Sequence, residues 1–242
     1  MNFHAIKKFF SKLRTLPFHP QWFVYRDTQV NHKQIGEIAK GLVLDIGCAD
    51  QFIRRYLVHT HQYIGLDYYQ TATEWYATRP QVFGDAQSLP FANASVDTVL
   101  LLDVLEHLPR PDASFSEIVR VLKSGGIFVL QVPFLYPIHD APLDFQRWTC
   151  HGLERLIKEH GFRVIEQKAA GNPMQTAGLL FNIALSKTVL NWLKTKHPAL
   201  ILGIFAPFII FLVNLFCWLL NLFSVQDAMM AYGYRYILEK SA

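Results

Sequence analysis

Apolar residues fall in short unbroken runs over most of the chain and in one long run near its end. The short runs at 42–46, 63–66, 96–102 and 127–132 have few polar breaks, which is the pattern of strands covered on both faces of a parallel sheet. A shorter strand is expected at 81–83, and two more at 162–167 and 232–238. Between them the period lengthens toward 3.6. Residues 27–40 read as a helix, and 112–122 as another, because Phe115, Ile118, Val119 and Leu122 share one face. Lys123-Ser124-Gly125-Gly126 reads as the stop and turn after it. Helices are also expected at 51–58, at 71–78 and at 153–160, the last ended by Gly161. Strand-helix alternation of this kind predicts an α/β, Rossmann-like, seven-stranded, mostly parallel sheet with helices on both faces.

The long run interrupts that alternation between the last two strands. Residues 176–194 form an apolar-rich helical pattern, and 199–223 contain no charge. A helix of the latter length, at about 1.5 Å per residue, matches a bilayer core of roughly 30 Å. Pro207 falls inside it and is expected to kink it into a shallow V. Two neighbouring strands of one sheet lie on the same side of any membrane, so a single crossing between them is excluded. The insert is therefore expected to be a hairpin, a re-entrant segment or a pair of interfacial helices. At the other end of the chain Phe3, Ile6, Phe10 and Leu13 recur at helical steps beside Lys7, Lys8, Lys12 and Arg14, which suits a basic amphipathic helix on an anionic surface. The expected division is a basic segment 1–26, an α/β domain 27–170, an apolar insert 171–229 and a final strand in 230–242.

Composition sharpens this picture. The 242 residues are 51% hydrophobic and 17% charged, more apolar than a typical soluble domain. The net charge of +4 resides in the first sixteen residues; the rest carries equal numbers of basic and acidic side chains. A basic tip on a neutral body argues against a nucleic-acid binder. Cys48, Cys150 and Cys217 are far apart and form no CxxC pair, so neither a zinc site nor a disulfide framework is expected, and a reducing cytosol fits.

The candidate chemistry begins at Asp45-Ile46-Gly47-Cys48, where an apolar strand ends in an acid and a glycine. About twenty residues later a second strand ends at Gly65-Leu66-Asp67. In open α/β folds such an acid meets the two ribose hydroxyls of a nucleotide-like cofactor, since a carboxylate accepts two hydrogen bonds from a diol. Further pieces follow in order: Gly84-Asp85-Ala86-Gln87-Ser88-Leu89-Pro90-Phe91, Val96-Asp97, Asp103-Val104-Leu105-Glu106-His107-Leu108, Glu117-Ile118-Val119-Arg120-Val121-Leu122-Lys123 and Gly125-Gly126. From 43 to 162 this series resembles the class I S-adenosylmethionine-dependent methyltransferases, type 11-like. The stretch from Pro133-Phe134 to Thr149 is similar to a branch linked with bacterial glycan or lipid-linked substrates. One departure stands out: Ala49 and Gln51 occupy the second and third glycine positions of the family's first loop.

The resemblance implies S-adenosylmethionine as cofactor, with Asp45, Gly47 and Cys48 at its methionine end, Asp67 on the ribose, Asp85 and Ala86 at the adenine, and Asp103 nearby. For Asp85 the plainer reading is a cap on the following turn. Methyl transfer requires alignment of an acceptor and exclusion of water, and an oxygen acceptor also needs a base. His107, after the fourth strand, and His139, in the loop after the fifth, are the candidates; Glu106 either orients His107 or sits on a helix surface. Arg147 and Asp140 are candidate acceptor ligands, although Asp144 and Arg147 also suit an internal salt bridge. The expected protein is a methyltransferase on the cytoplasmic side of a membrane, acting on a small or lipid-linked acceptor. Two alternatives stand beside it: a non-catalytic scaffold of the same fold, and an insert that serves as a homodimer interface or an active-site lid. A nicotinamide enzyme is disfavoured, because the first loop lacks the GxGxxG spacing.

Overall fold

A computed structural model describes residues 13–58, 60–225 and 227–241. The expected amphipathic helix at the N-terminus lies outside the described residues except for its last positions. The chain divides into two compact units, one of residues 32–170 with 233–242, the other of residues 1–31 with 171–232.

The larger unit holds a seven-stranded sheet. Its strands are β1 (Gly41–Ile46), β2 (Thr60–Asp67), β3 (Val82–Phe83), β4 (Val96–Leu102), β5 (Leu122–Pro133), β6 (Phe162–Ala170) and β7 (Gly233–Lys240), in spatial order 3-2-1-4-5-7-6. The first five pair in parallel, and β7 lies antiparallel between β5 and β6. The expected seven-stranded fold with an insert before the last strand is present.

In the helix Thr28–Ile38, Ile35 joins Ala39, Val43, Ile53, Leu100, Val129 and Ile237 in one core cluster. Against the sheet, Phe115 of the helix Pro111–Val121 meets Phe128 edge-on at 5.4 Å, and Phe128 meets Phe162 at 5.3 Å. Edge-to-face packing of this kind adds to the area these rings remove from water.

Three expected elements differ in detail. Residues 51–58 form only a short 3-10 turn, Phe52–Tyr56, bounded by Gln51 in the left-handed region and by an extended Leu57. Ile53 alone of its side chains is buried, so there is no apolar face to lengthen it. Residues 71–78 form a wide π turn, Thr71–Tyr76, closed by the Thr78 N–H on the Ala72 carbonyl at 2.8 Å. The turn at 123–126 is absorbed into β5: Val96 pairs with Leu122 and Thr98 with Ile127, so the intervening residues bulge out of the ladder.

The smaller unit contains a helical hairpin. The helix Pro173–Thr195 is followed by a 3-10 segment, Pro198–Phe205, and the helix Ala206–Asn221. Pro207 does not kink the segment midway. It sits in the first turn of the α-helix, where its missing N–H removes no bond. The two helices share a buried amide pair: Asn182 donates to Asn214 at 2.9 Å, and Asn214 donates to the carbonyls of Pro17 and His19. Ala170 pairs with Gly233, so the hairpin leaves and rejoins the sheet at one register position.

Candidate functional site

In the strand order 3-2-1-4-5 the chain reverses direction of travel between β1 and β4, and ligands bind at the carboxyl ends of strands on either side of such a point. Asp45, Asp67 and Asp103 sit at or just beyond the ends of β1, β2 and β4. The β1 turn is tight for a reason that can be named. Gly47 has φ +71, and a Cβ there would come within 2.4 Å of the Val104 side chain. Only glycine allows the two loops to close on each other there.

The turn continues through two left-handed residues that are not glycine, Ala49 at φ 41 and Gln51 at φ 57. The loop thus keeps the glycine conformation without the glycines. Gln51 turns its side chain toward the β3 side. Its amide donates to the Arg79 carbonyl at 3.1 Å and accepts from Gln81, whose own oxygen accepts from the Gly65 N–H.

Asp67 is buried and accepts three bonds, from the Ala49 N–H, the Tyr68 N–H and the Thr71 hydroxyl, at 2.8–2.9 Å. A carboxylate has about four acceptor positions, so capacity remains for a hydroxyl. Asp45 is buried and accepts from the Tyr63 hydroxyl at 2.6 Å. Burial pushes its carboxyl up to about 7, assisted by the like charges of Asp67 and Asp50 and opposed by the Tyr63 bond. Asp85 accepts from the Gln87 N–H at 2.8 Å and from its side-chain amide, which is the turn-capping arrangement. Ala86 and Cys48 are buried, and Asp103 accepts from Gln131 at 2.8 Å.

A second group of residues lies beyond β4. The chain makes one 3-10 turn, Leu105–His107, and the loop 134–149 folds over it. Phe145 donates to the Glu106 carbonyl, and the Gln146 amide to those of Leu105 and Leu108. This brings the rings of His107 and His139 into edge contact at 5.0 Å. Glu106 lies wholly buried beside both, not on a helix surface. Its carboxylate holds the His139 imidazole above its ordinary value, against the desolvation that lowers it.

The loop is braced by Arg147. All five of its N–H donors are engaged, on Asp144 twice and on the carbonyls of Tyr136, Pro137 and Gln146. The guanidinium holds the Asp144 carboxyl down at about 2. Asp140 is exposed and accepts from the Tyr76 hydroxyl at 2.8 Å.

The structure therefore gathers the predicted residues into an acidic pair, Asp45 and Asp67, and a second group of His107, His139 and Glu106, with which Asp103 interacts. Sequence reasoning missed Tyr63, Thr71, Tyr76 and Gln131, the partners of four of the acids. Only Thr71 left a local signal, at the i+4 position from Asp67; the others come from distant strands and turns.

Comparison with known proteins agrees with this geometry. Residues 44–130 match the family model described as a methyltransferase domain. A Mycolicibacterium smegmatis protein named a probable S-adenosylmethionine-dependent methyltransferase is 30% identical over 164 residues, covering 62% of this chain and 64% of its own. The fatty-acid O-methyltransferase of the same organism is 29% identical over 136 residues, covering 52% and 46%. This chain thus spans less than two thirds of the length of either curated relative. Among solved structures, a Haemonchus contortus phosphoethanolamine N-methyltransferase in complex with S-adenosylhomocysteine superposes with a TM-score of 0.51 at 17% identity, covering 95% of this chain and 59% of that one. The sheet has the class I methyltransferase fold, and residues 44–130 match a methyltransferase domain whose relative is named for its dependence on S-adenosylmethionine. The residues present fit that group. Asp67 keeps acceptor capacity for one hydroxyl of a diol, and the mutually repelling carboxylates of Asp45, Asp67 and Asp50 suit a ligand that carries positive charge.

Proposed function

We propose that this protein is an S-adenosylmethionine-dependent methyltransferase that works at the cytoplasmic surface of a membrane on a lipid-linked or otherwise amphipathic acceptor. The observation that carries the reading is the convergence, at one sheet edge, of the Gly47 turn, the buried Asp67 and the His107–His139 pair.

When bound, the cofactor supplies a methyl group already activated by its sulfonium. Asp67 accepts a hydrogen bond from a ribose hydroxyl. Asp45, Gly47, Cys48 and Asp103 line the methionine end, and Asp85 with Ala86 the adenine edge. The loop 134–149 covers the acceptor side and excludes water, with Arg147 and Asp144 as its internal strut. In this arrangement Arg147 positions His139 and leaves no N–H for the acceptor, so Asp140 is the acceptor ligand of that pair. The proton of an oxygen acceptor passes to the group formed by Glu106, His107 and His139.

The membrane part rests on the smaller unit. Within Pro198–Asn221 the most apolar stretch has mean hydropathy 2.6 and is 22% buried. Ile201, Ile204, Phe208, Phe216 and Phe223 are all more than half exposed. An apolar face of that extent suits the headgroup boundary of a bilayer, and the hairpin's common entry and exit point fits monotopic insertion. The three cysteines are free, in keeping with a cytoplasmic location. The name of the fatty-acid O-methyltransferase relative points to the same class of acceptor.

Two measurements test the proposal. Calorimetric titration with S-adenosylmethionine should give binding that Asp67→Ala abolishes; a folded wild type that binds none would leave a scaffold. Flotation with anionic vesicles should carry the protein upward. A soluble dimer that ignores vesicles would assign the apolar face to a second copy.

A further inference from the structure

Glu106 is the least explained side chain of the site. It is 0% exposed, and neither carboxylate oxygen has a hydrogen-bond partner among the described residues. A buried carboxylate left in this state costs several kcal/mol by the general scale for unpaired ions, so something ordinarily meets it. Two ring nitrogens face it: His107 Nε2 at 3.7 Å and His139 Nε2 at 3.6 Å, both from the same oxygen, Oε1. Those separations are too long for direct hydrogen bonds, and they leave Oε2 with nothing.

The far side of each ring is fixed. His107 Nδ1 lies 2.9 Å from the Leu143 carbonyl. His139 Nδ1 lies 3.3 Å from the Pro137 carbonyl, 3.3 Å from Asp144 and 3.3 Å from Arg147 Nη2. The two N–H groups of that Nη2 have the Pro137 carbonyl and Asp144 as their closer partners, at 3.1 and 2.7 Å, so Nδ1 is left to direct a proton of its own at the same oxygens. With Nδ1 protonated toward a carbonyl or carboxylate, each Nε2 presents a lone pair to the space beside Glu106. Backing of a ring N–H by an oxygen is the arrangement that orients metal-bound imidazoles.

We propose that Glu106, His107 and His139 form a binding site for a divalent transition-metal ion, with coordination positions left open on the acceptor side. One ligand atom from each of the three residues lies within 4.8 Å of the others. Zinc bonds of 2.0–2.2 Å in tetrahedral geometry set ligand atoms about 3.4 Å apart. The two carboxylate–imidazole separations, 3.6 and 3.7 Å, close to that spacing with a shift of a few tenths of an ångström, and the two imidazole ligand atoms lie within 4.8 Å of each other. Two imidazoles and one carboxylate select zinc or its first-row neighbours over calcium and magnesium, which prefer oxygen. The ion neutralises Glu106 and explains why its oxygens carry no protein donor. Because the site follows β4 at the ligand-binding edge, a bound ion polarises an acceptor oxygen directly. With the ion bound, Nε2 of both histidines would be occupied, and the ion would lower the acceptor's affinity for its proton, which would leave to solvent before methyl transfer; in the metal-free protein the same three side chains take that proton.

This inference goes beyond methyl transfer and is tested apart from it. Protein stripped with a chelator is titrated with Co2+, whose visible bands report a nitrogen and oxygen ligand field. A single ion should bind with those bands, and His139→Ala and Glu106→Gln should each weaken binding by at least about 100-fold, more than the loss of an outer partner. Zn2+ added to wild type should shift the ring resonances of His107 and His139, a reading that needs no variant to fold. A folded wild type that takes up no Co2+, or affinity unchanged in both variants, or unshifted resonances, would overturn the site. Calorimetry with S-adenosylmethionine on the same samples separates this outcome from failure of the methyltransferase reading.

Discussion

Ala49 and Gln51 hold backbone conformations that cost an L-residue about 1 kcal/mol or more and cost glycine nothing sterically. Ala49→Gly is therefore expected to raise stability, by about 1 kcal/mol at most once the greater freedom of the unfolded chain is counted. Urea midpoints check this. Gln51→Gly should gain less, since it also removes the bonds to Arg79 and Gln81. Asp45 gives a prediction in pH. Its carboxyl titrates near 7 in the folded protein and near the ordinary 3.8 when unfolded. Below about pH 4 both states are protonated and the group imposes no penalty. As pH rises toward 7 the unfolded state ionises first, so stability falls by an amount on the order of 4 kcal/mol and then levels off. The difference in unfolding midpoint between wild type and Asp45→Asn should open from pH 4 to pH 8. A flat difference would show that Asp45 is not buried in this way. The sequence made Asp45 visible as a strand-end residue. It did not show Tyr63 on Asp45, because that contact joins two strands whose pairing register decides which side chains meet.

At the scale of elements, contacts between segments set the tolerances. A Cβ on Gly36 would lie 1.9 Å from the Tyr56 carbonyl oxygen, so the helix Thr28–Ile38 and the 3-10 turn Phe52–Tyr56 touch backbone to backbone. Gly36→Ala is expected to cost about 1–3 kcal/mol through overpacking, read from thermal or denaturant unfolding. In the hairpin, Asn214→Leu strips Asn182 of its partner and leaves the Pro17 and His19 carbonyls without that donor. Each buried group so abandoned costs about 1–3 kcal/mol, and unfolding in detergent should show it. The long strands and the helices with a full apolar face were legible in sequence because burial repeats along them. The segments 51–58 and 71–78 were legible only as helical in general. Their 3-10 and π geometries follow from caps and closing bonds that no hydrophobic period encodes.

For the whole molecule, the exposed apolar face is the feature that calls for a partner, and a bilayer is the partner proposed. Replacing Phe208 and Phe216 with serine should weaken vesicle binding by about tenfold per ring, the factor that corresponds to about 1.4 kcal/mol of lost apolar burial. Sheet order and circular dichroism should stay unchanged. Sequence by itself determined the α/β class, the seven strands, the insert before the last of them and the acids at strand ends. Each of these depends on composition and periodicity within a segment, and hydrophobic burial acts on a segment wherever it sits. Only the tertiary structure decided that Glu106 is buried rather than surface-exposed, that Arg147 is consumed as a strut, and that His107 and His139 face one carboxylate from separate loops. Those facts depend on how the loop 134–149 closes over the turn after β4. Closure is set by the His107 and Gln146 side chains and the Phe145 N–H, each bonded to a backbone carbonyl more than thirty residues away, and no local pattern in the chain records them.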